Sequence, residues 1–285
     1  MRIGFKTRQT SDVEWPMLLA TWQAADSLDE FDSGWLFDHF IDPIGGGSHE
    51  ALTVATALAA QTERLQIGHL VLSNTHRHPA LLAKMAVTLD HITRGRFVVG
   101  LGAGWHEAEH AMYGWVLPSL ADRMDRLDAA IRVLKGMWEH PKGFSLTAAG
   151  YELRSAKCEP PPLTVGGPPV WIGTKGKRRG LRIAAELADG WNFSGALPEF
   201  IVCRDALLRH CDAVGRDPSG IEISVQLWQG ILTPGRMLTE LREEAVAFVR
   251  AGANHIVLPV ASGDGPANLI NVAREVAAPL RELTT

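Results

Sequence analysis

Cysteine is scarce in this chain, with three in 285 residues, Cys158, Cys203 and Cys211. None forms a C-x-x-C pair and none falls at metal-ligand spacing, so a disulfide framework and a cysteine zinc site are both excluded. A sparse, odd count suits a reducing compartment, where thiols act as small hydrophobes. No apolar run is long enough to span a bilayer. The opening MRIGFKT is too short and too polar for a signal peptide, so a cytoplasmic location is expected. An excess of positive charge is missing too. The net charge is -4, and the basic residues are scattered apart from one cluster. A general affinity for nucleic acid or anionic membranes is not expected.

What the chain does have is rhythm. Short β-rich runs begin at Ile3, Gly34, Gln66, Arg96, Pro169, Asp189, Ile221 and Asn254. They are apolar along their length rather than alternating, as parallel strands buried on both faces should be. Helical patterns lie between them. The clearest follows Ser119, where Leu120, Met124, Leu127, Ile131, Leu134 and Trp138 form one stripe behind an S-x-x-D start. Further helices are predicted over 51–62, 80–92, 181–187, 207–214, 238–251 and 267–283. Eight strand–helix repeats at this length predict a single (β/α)8 TIM barrel domain over 1–285. An open doubly wound sheet has the same periodicity. Residues 139–168 are rich in Pro and Gly, with PPPL at 160–163, and predict an irregular insertion that could lie over the barrel mouth.

Several stretches carry chemistry. His106-Glu107-Ala108-Glu109-His110 matches the zinc-peptidase pattern H-E-x-x-H. That pattern requires an established helix, so that both imidazoles share one face. Here it follows the strand FVVGLGAG, and no third ligand is evident, so no metal site is predicted. Gly100, Gly102 and Gly104 instead suit either a tight βα turn or a close backbone approach to an anion. GTKGKRRGL supplies Gly173, Thr174, Lys175, Gly176, Lys177, Arg178 and Arg179 at a helix start. Cations there oppose the helix dipole unless they are solvated or meet an anion. Two such turns on neighbouring strands suggest one phosphate cradle. GWLFDHF delivers Asp38 and His39 to a strand's carboxyl end, the edge where barrel enzymes carry their chemistry. His39 is suited to proton transfer near neutrality. Ser73 and Asn74 fall on the same rim after the third strand.

Together, GWLFDHF, NTHRHPALLAKMAVTLDHITRGRFVVGLGAGWHEAEHAMYG and PVWIGTKGKRRGLRIAAELADGWN resemble the luciferase-like monooxygenase superfamily, and within it the branch that uses the deazaflavin coenzyme F420. The resemblance covers most of residues 1–195 and is looser beyond. It implies a bacterial-luciferase-like barrel with insertions, a homodimer, and a flavin or deazaflavin at the carboxyl ends of the strands. It implies that Asp38 contacts the ring system, that His39 acts in proton transfer, and that Ser73 and Asn74 support the ring, often beside a non-proline cis peptide. It maps the phosphate to Ala103, Gly104, Gly173 and Thr174, with Lys175 and Gly176 as further candidates. Trp105 and Glu109 match the family's G-W-x-x-x-E pattern, in which Glu109 would order the turn. Some similar dehydrogenases carry a catalytic Glu where this chain has Trp105, which leaves His39 as the acid/base candidate. No sugar-phosphate grip is recognisable.

The resulting expectation is a hydride-transferring oxidoreductase with coenzyme F420, acting on a small organic substrate in a pocket walled by Trp35, Phe40 and Trp105. The alternatives are an FMN-dependent monooxygenase of the same fold and a non-catalytic flavin-binding carrier or sensor.

Overall fold

A computed structural model describes residues 1–43, 45–227, 237–261, 263 and 265–283. Every strand start read from the sequence is present among them. The barrel strands are β1 (Arg2–Lys6), β2 (Ser33–Leu36), β3 (Gln66–His69) with its short continuation β4 (Leu72–Ser73), β5 (Phe97–Gly102), β8 (Val170–Gly173), β9 (Gly190–Phe193), β10 (Glu222–Gln226) and β11 (His255–Pro259). All their pairings are parallel. The order runs β3-β2-β1-β11-β10-β9-β8-β5, and β3 pairs with β5 to close the ring. Closure decides between the two architectures that share this periodicity: the fold is an eight-stranded (β/α)8 barrel.

Around it lie α1 (Trp15–Asp26), α2 (Ala51–Ala59), α3 (Pro79–Thr93), α4 (Glu107–Met112), α5 (Leu120–Glu139), α6 (Gly180–Leu187), α7 (Leu197–Val214), α8 (Leu238–Arg250), α9 (Pro266–Val272) and α10 (Ala278–Glu282). The Ser119 hydroxyl caps α5 by accepting from the Asp122 amide, as its S-x-x-D signal predicts. Helix α7 begins ten residues before the predicted start at 207. Its buried face runs through Phe200, Cys203, Ala206, Leu207 and Cys211, so two cysteines complete a stripe that aliphatic residues alone leave broken. Helix α1, not predicted, buries Leu18, Trp22 and Ala25. The single helix expected over 267–283 is interrupted by a π turn at Ala273–Ala277. Pro279, with no N–H to donate, lies just beyond it. None of the described helices is long and apolar enough to cross a membrane.

The stretch 139–168 is not irregular throughout. β6 (Phe144–Ala148) and β7 (Tyr151–Ala156) form an antiparallel hairpin. Its Phe144 ring lies against Gly136 of α5, where a Cβ would collide with it. All three cysteines are buried and unpaired, and burial pushes their thiols up from the ordinary value.

Inside the barrel, Trp35 and Trp171 meet at 4.8 Å between ring centroids, with Leu70, Val98 and Val257 around them. Small neighbours make room: a Cβ on Gly4 would stand 2.8 Å from Trp35 Nε1, and one on Gly68 2.8 Å from its Cζ3. Below the indoles, His255 bridges Glu222 at 2.7 Å and the Ser33 hydroxyl at 2.9 Å, and Trp35 Nε1 donates to the same hydroxyl at 2.8 Å. Ser33, His255 and Glu222 have the spacing of a nucleophilic triad, but Ser33 and His255 are fully buried. The network is therefore a satisfied set of core polar groups.

Candidate active site

The aromatic layer closes the lower barrel, so space opens only above it, at the carboxyl ends of the strands. There lies a cavity of about 1120 Å³, ample for a ligand with a ring system and a second molecule beside it. Its lining draws on nearly every strand end, including Lys6, Phe37, His39, Ser73, Gly104, Gly173, Asn192 and Gln226. None of residues 139–168 lines it, so the hairpin is not a wall of this site.

The β2 end carries the ionic framework. Asp38 is bound in two places by Arg77, Nη1 to Oδ2 at 2.7 Å and Nη2 to Oδ1 at 2.9 Å, and Oδ2 also accepts the Ser73 amide at 2.8 Å. Arg77 in turn reaches Glu50. Burial by itself would raise Asp38, but His76 and Arg77 outweigh it and hold the carboxyl well below the usual carboxylate range. Asp38 does line the cavity, yet most of its acceptor capacity is spent on the protein. It fixes the rim where the β2 and β4 ends meet.

His39 is differently placed. Its side chain is 17% exposed, and Nδ1 lies 3.2 Å from Glu109 Oε2. A carboxylate only accepts, so Nδ1 carries the proton, and Nε2 is left as the nitrogen for a ligand. Glu109, on α4, is fully buried and also accepts the amides of Phe40 at 2.6 Å and Ile41 at 3.1 Å. Burial pushes Glu109 up, but His39, His76 and the Ile41 amide together bring it far below the ordinary range. A base oriented by a buried acid is the arrangement proton transfer requires. The Trp105 ring stands edge-on to His39 at 5.5 Å and is 61% exposed, at the cavity rim.

The two histidines of H-E-x-x-H are engaged separately. His106 is the N-cap of α4, its Nδ1 accepting the Glu109 amide at 2.9 Å. His110 turns inward, with Nδ1 at 2.7 Å from the His106 carbonyl and Nε2 at 2.7 Å from Thr75 Oγ1.

Beside this framework, on β5 and β8, lie the two glycine turns. A Cβ on Gly102 would stand 2.6 Å from one methyl of Val71, and one on Gly173 2.7 Å from the other. The missing side chains let Val71 rise between the strands, immediately after the cis peptide Leu70–Val71. Gly104 has φ +81°, and a Cβ there would meet Ser73 Oγ at 2.8 Å. Ala103, Gly104, Gly173, Thr174, Lys175 and Gly176 all line the cavity, so both turns face one space. Helix α6 has no side-chain cap and no acid in its first turn. Of its four leading cations, Lys175 pairs with Glu199 at 3.1 Å and Arg179 with Asp125. The Gly176 amide donates to Thr174 Oγ1 at 3.1 Å.

Three expected site residues lie elsewhere. Trp35 belongs to the core layer and is fully buried. The inward alternation of β2 carries on past it, so Phe37 takes the cavity position. Phe40 packs outside the cavity on His76, Tyr113 and Trp115. Asn74 points away from Ser73 towards the Tyr151 hydroxyl of the hairpin, 3.4 Å distant. Conversely, Lys6, which no sequence motif marks, lines the cavity. Its Nζ donates to the Leu70 carbonyl at 2.6 Å and to Gln226 at 2.8 Å, and burial pulls it down to about 7 against the opposing pull of Asp42. A polar residue near the end of an apolar strand, as Lys6 in IGFKT, is the available signal, and Gln226 and Asn192 repeat it.

Fold and cavity together define a (β/α)8 barrel with a large cavity at the strands' carboxyl ends. The profile of the luciferase-like monooxygenase family matches residues 4–280, and the chain belongs to that family. It is 34% identical over 149 residues to the F420-dependent glucose-6-phosphate dehydrogenase of Amycolatopsis mediterranei (strain U-32), covering 49% of this chain and 44% of that protein. It is 32% identical over 146 residues to the FMNH(2)-dependent dimethylsulfone monooxygenase of Pseudomonas putida, covering 51% and 39%. The matched stretch thus spans less than half of either relative. An F420-dependent secondary alcohol dehydrogenase, solved with an F420–acetone adduct, shares the fold with a TM-score of 0.79 at 20% identity, over 95% of this chain and 96% of that one. Relatives of both coenzyme types therefore surround this chain.

Proposed function

We propose that the chain is an oxidoreductase that binds coenzyme F420 in this cavity and serves hydride transfer between it and a small organic substrate. The observation that carries the reading is the His39–Glu109 pair, a base oriented by a buried carboxylate, on a cavity that the glycine turns also line. The residues fit such a group. Gly102 and Gly173 leave Val71 as an apolar platform for a flat ring, and Gly104 with the α6 cations suits a phosphate. When bound, the deazaflavin supplies or accepts the hydride. His39 Nε2 removes the proton from an alcohol as its carbon is oxidised, and in the reverse direction the imidazolium so formed returns it from Nε2 to the carbonyl oxygen. Glu109 keeps the His39 ring in the tautomer this needs. Trp105 and Phe37 limit water at the reacting centre. Asp38 and Arg77 fix Ser73 and the strand ends around it. Assembly as a homodimer is part of the same reading and is testable by sedimentation.

FMN is the second candidate, supported by the FMNH(2)-dependent relative. The test is a paired titration with coenzyme F420 and FMN, followed by tryptophan fluorescence, for the wild type and His39→Asn. The proposal expects tighter binding of F420, and in His39→Asn retained binding with lost turnover. Preference for FMN would move the chain to the monooxygenase side. Binding of either without turnover of any carbonyl or alcohol substrate would favour a carrier.

A further inference from the structure

His76 stands between two acids. Its Nδ1 lies 3.3 Å from Asp38 Oδ2 and its Nε2 3.5 Å from Glu109 Oε2, and the side chain is 1% exposed. Both neighbours accept and neither donates. A neutral imidazole has a single N–H, so it would set a bare lone pair against one carboxylate or the other. Neither approach has hydrogen-bond geometry; they are ion-pair distances, and only the doubly protonated ring turns a positive N–H towards both acids.

We propose that His76 is held as an imidazolium wedged between Asp38 and Glu109, and that this cation is a positioning residue that keeps Glu109 aimed at His39. The inference rests on the reading of His39 as the acid/base group. Burial disfavours the charge, but the two carboxylates at 3.3 and 3.5 Å outweigh it and raise His76 above the ordinary imidazole value. The rest of the surroundings agree. Arg77 is occupied by Asp38 and Glu50. The Phe40 and Trp115 rings flank the imidazole at 5.3 and 5.1 Å. His110 also faces it, at 5.3 Å, but its Nδ1 donates to the His106 carbonyl and its Nε2 takes the Thr75 hydroxyl. His106 meets the Glu109 amide. Donor atoms of His76, Glu109 and His110 do lie within 4.8 Å of one another. Both nitrogens of His110 are already engaged by the His106 carbonyl and the Thr75 hydroxyl, which leaves the trio without a free third ligand atom.

Without the cation, the buried charge of Glu109 has only His39 and two amides for company. The carboxylate is then free to turn, and His39 loses its fixed orientation. Misplacement of a catalytic group by about 1 Å costs on the order of 10²-fold in rate.

The experiment uses the full chain labelled with ¹⁵N-histidine and free of cofactor, with His76→Gln assigning the resonance. The expected result is two protonated ring nitrogens on His76 at pH 7, persisting above the ordinary imidazole value of about 6.5. Alongside, His76→Gln should lose roughly 10²-fold in kcat while its cofactor Kd stays unchanged, and the loss of rate that the wild type is expected to show as His76 gives up its charge at high pH should be absent from its profile. A neutral His76 at pH 7 overturns the proposal whatever the activity. Stoichiometric metal in the purified protein, lost in His76→Gln, also overturns it. An imidazolium whose replacement leaves kcat intact overturns the positioning role. If neither coenzyme supports turnover, the proposed function fails, while the ring signals still report the charge of His76.

Discussion

The Glu109 carboxylate, carried on α4, spans the gap to the β2 end and grips three consecutive residues: His39 Nδ1 at 3.2 Å, the Phe40 amide at 2.6 Å and the Ile41 amide at 3.1 Å. One buried acid thus sets both the tautomer of the candidate base and the path of the loop that bears it. The two functions can be separated by mutation.

Glu109→Gln keeps an acceptor for the amides but can turn its N–H towards His39. We expect turnover to fall on the order of 10²-fold, with cofactor affinity changed little. Steady-state kinetics beside a fluorescence titration checks this, and equal losses in both would show that the residue only builds the loop.

Arg77→Met removes the guanidinium that neutralises Asp38, leaving a buried charge beside the Ser73 turn. The cost is about 3–5 kcal/mol, read as a shift in the urea midpoint. The double variant with Asp38→Asn should recover most of it. A single variant as stable as the wild type would mean that the pair contributes nothing.

The pH dependence of stability has a defined sign at both ends. Asp38 and Glu109 are both depressed in the fold. Their contribution is present above the unfolded carboxylate values, about 4, and is lost as pH falls through the folded ones. His76 is raised. Its contribution is present below about 6.5 and is lost as pH rises through the folded value. Urea midpoints between pH 3 and pH 9 should therefore decline at both extremes, with Asp38→Asn flattening the acid limb and His76→Gln the alkaline one.

Gly104→Ala places a methyl group 2.8 Å from Ser73 Oγ at a residue with φ +81°. Strain and overpacking of about 1–3 kcal/mol follow, and the turn must shift. The expected outcome is a cofactor Kd raised about tenfold or more, consistent with that energy. An unchanged Kd would remove this turn from the binding site.

Ser33→Ala strips the shared partner from His255 Nε2 and Trp35 Nε1. A loss of about 1–3 kcal/mol is expected, with cofactor binding intact because the cavity starts above this layer. Chemical unfolding and the same titration measure both.

The sequence alone determined the barrel's repeats, because the strands are mostly apolar along their length and several helices carry an apolar stripe, all of them local properties. It also marked the strand ends that carry Asp38, His39 and the two glycine turns, since a polar or glycine residue closing an apolar strand stands out without any knowledge of its neighbours. Contact across the barrel was decided only in three dimensions. Trp35, an aromatic two residues before the cavity, was indistinguishable in sequence from one lining it, and the pleat of β2 together with Gly4 and Gly68 committed it to the core. Asn74 and Ser73 are neighbours in the chain yet face opposite ways. The grouping of His39, His76, Asp38 and Glu109 joins residues up to 71 positions apart. Its charges are set by who stands opposite whom, and no local pattern encodes that. Closure of the sheet through β3 and β5 is what brings them together.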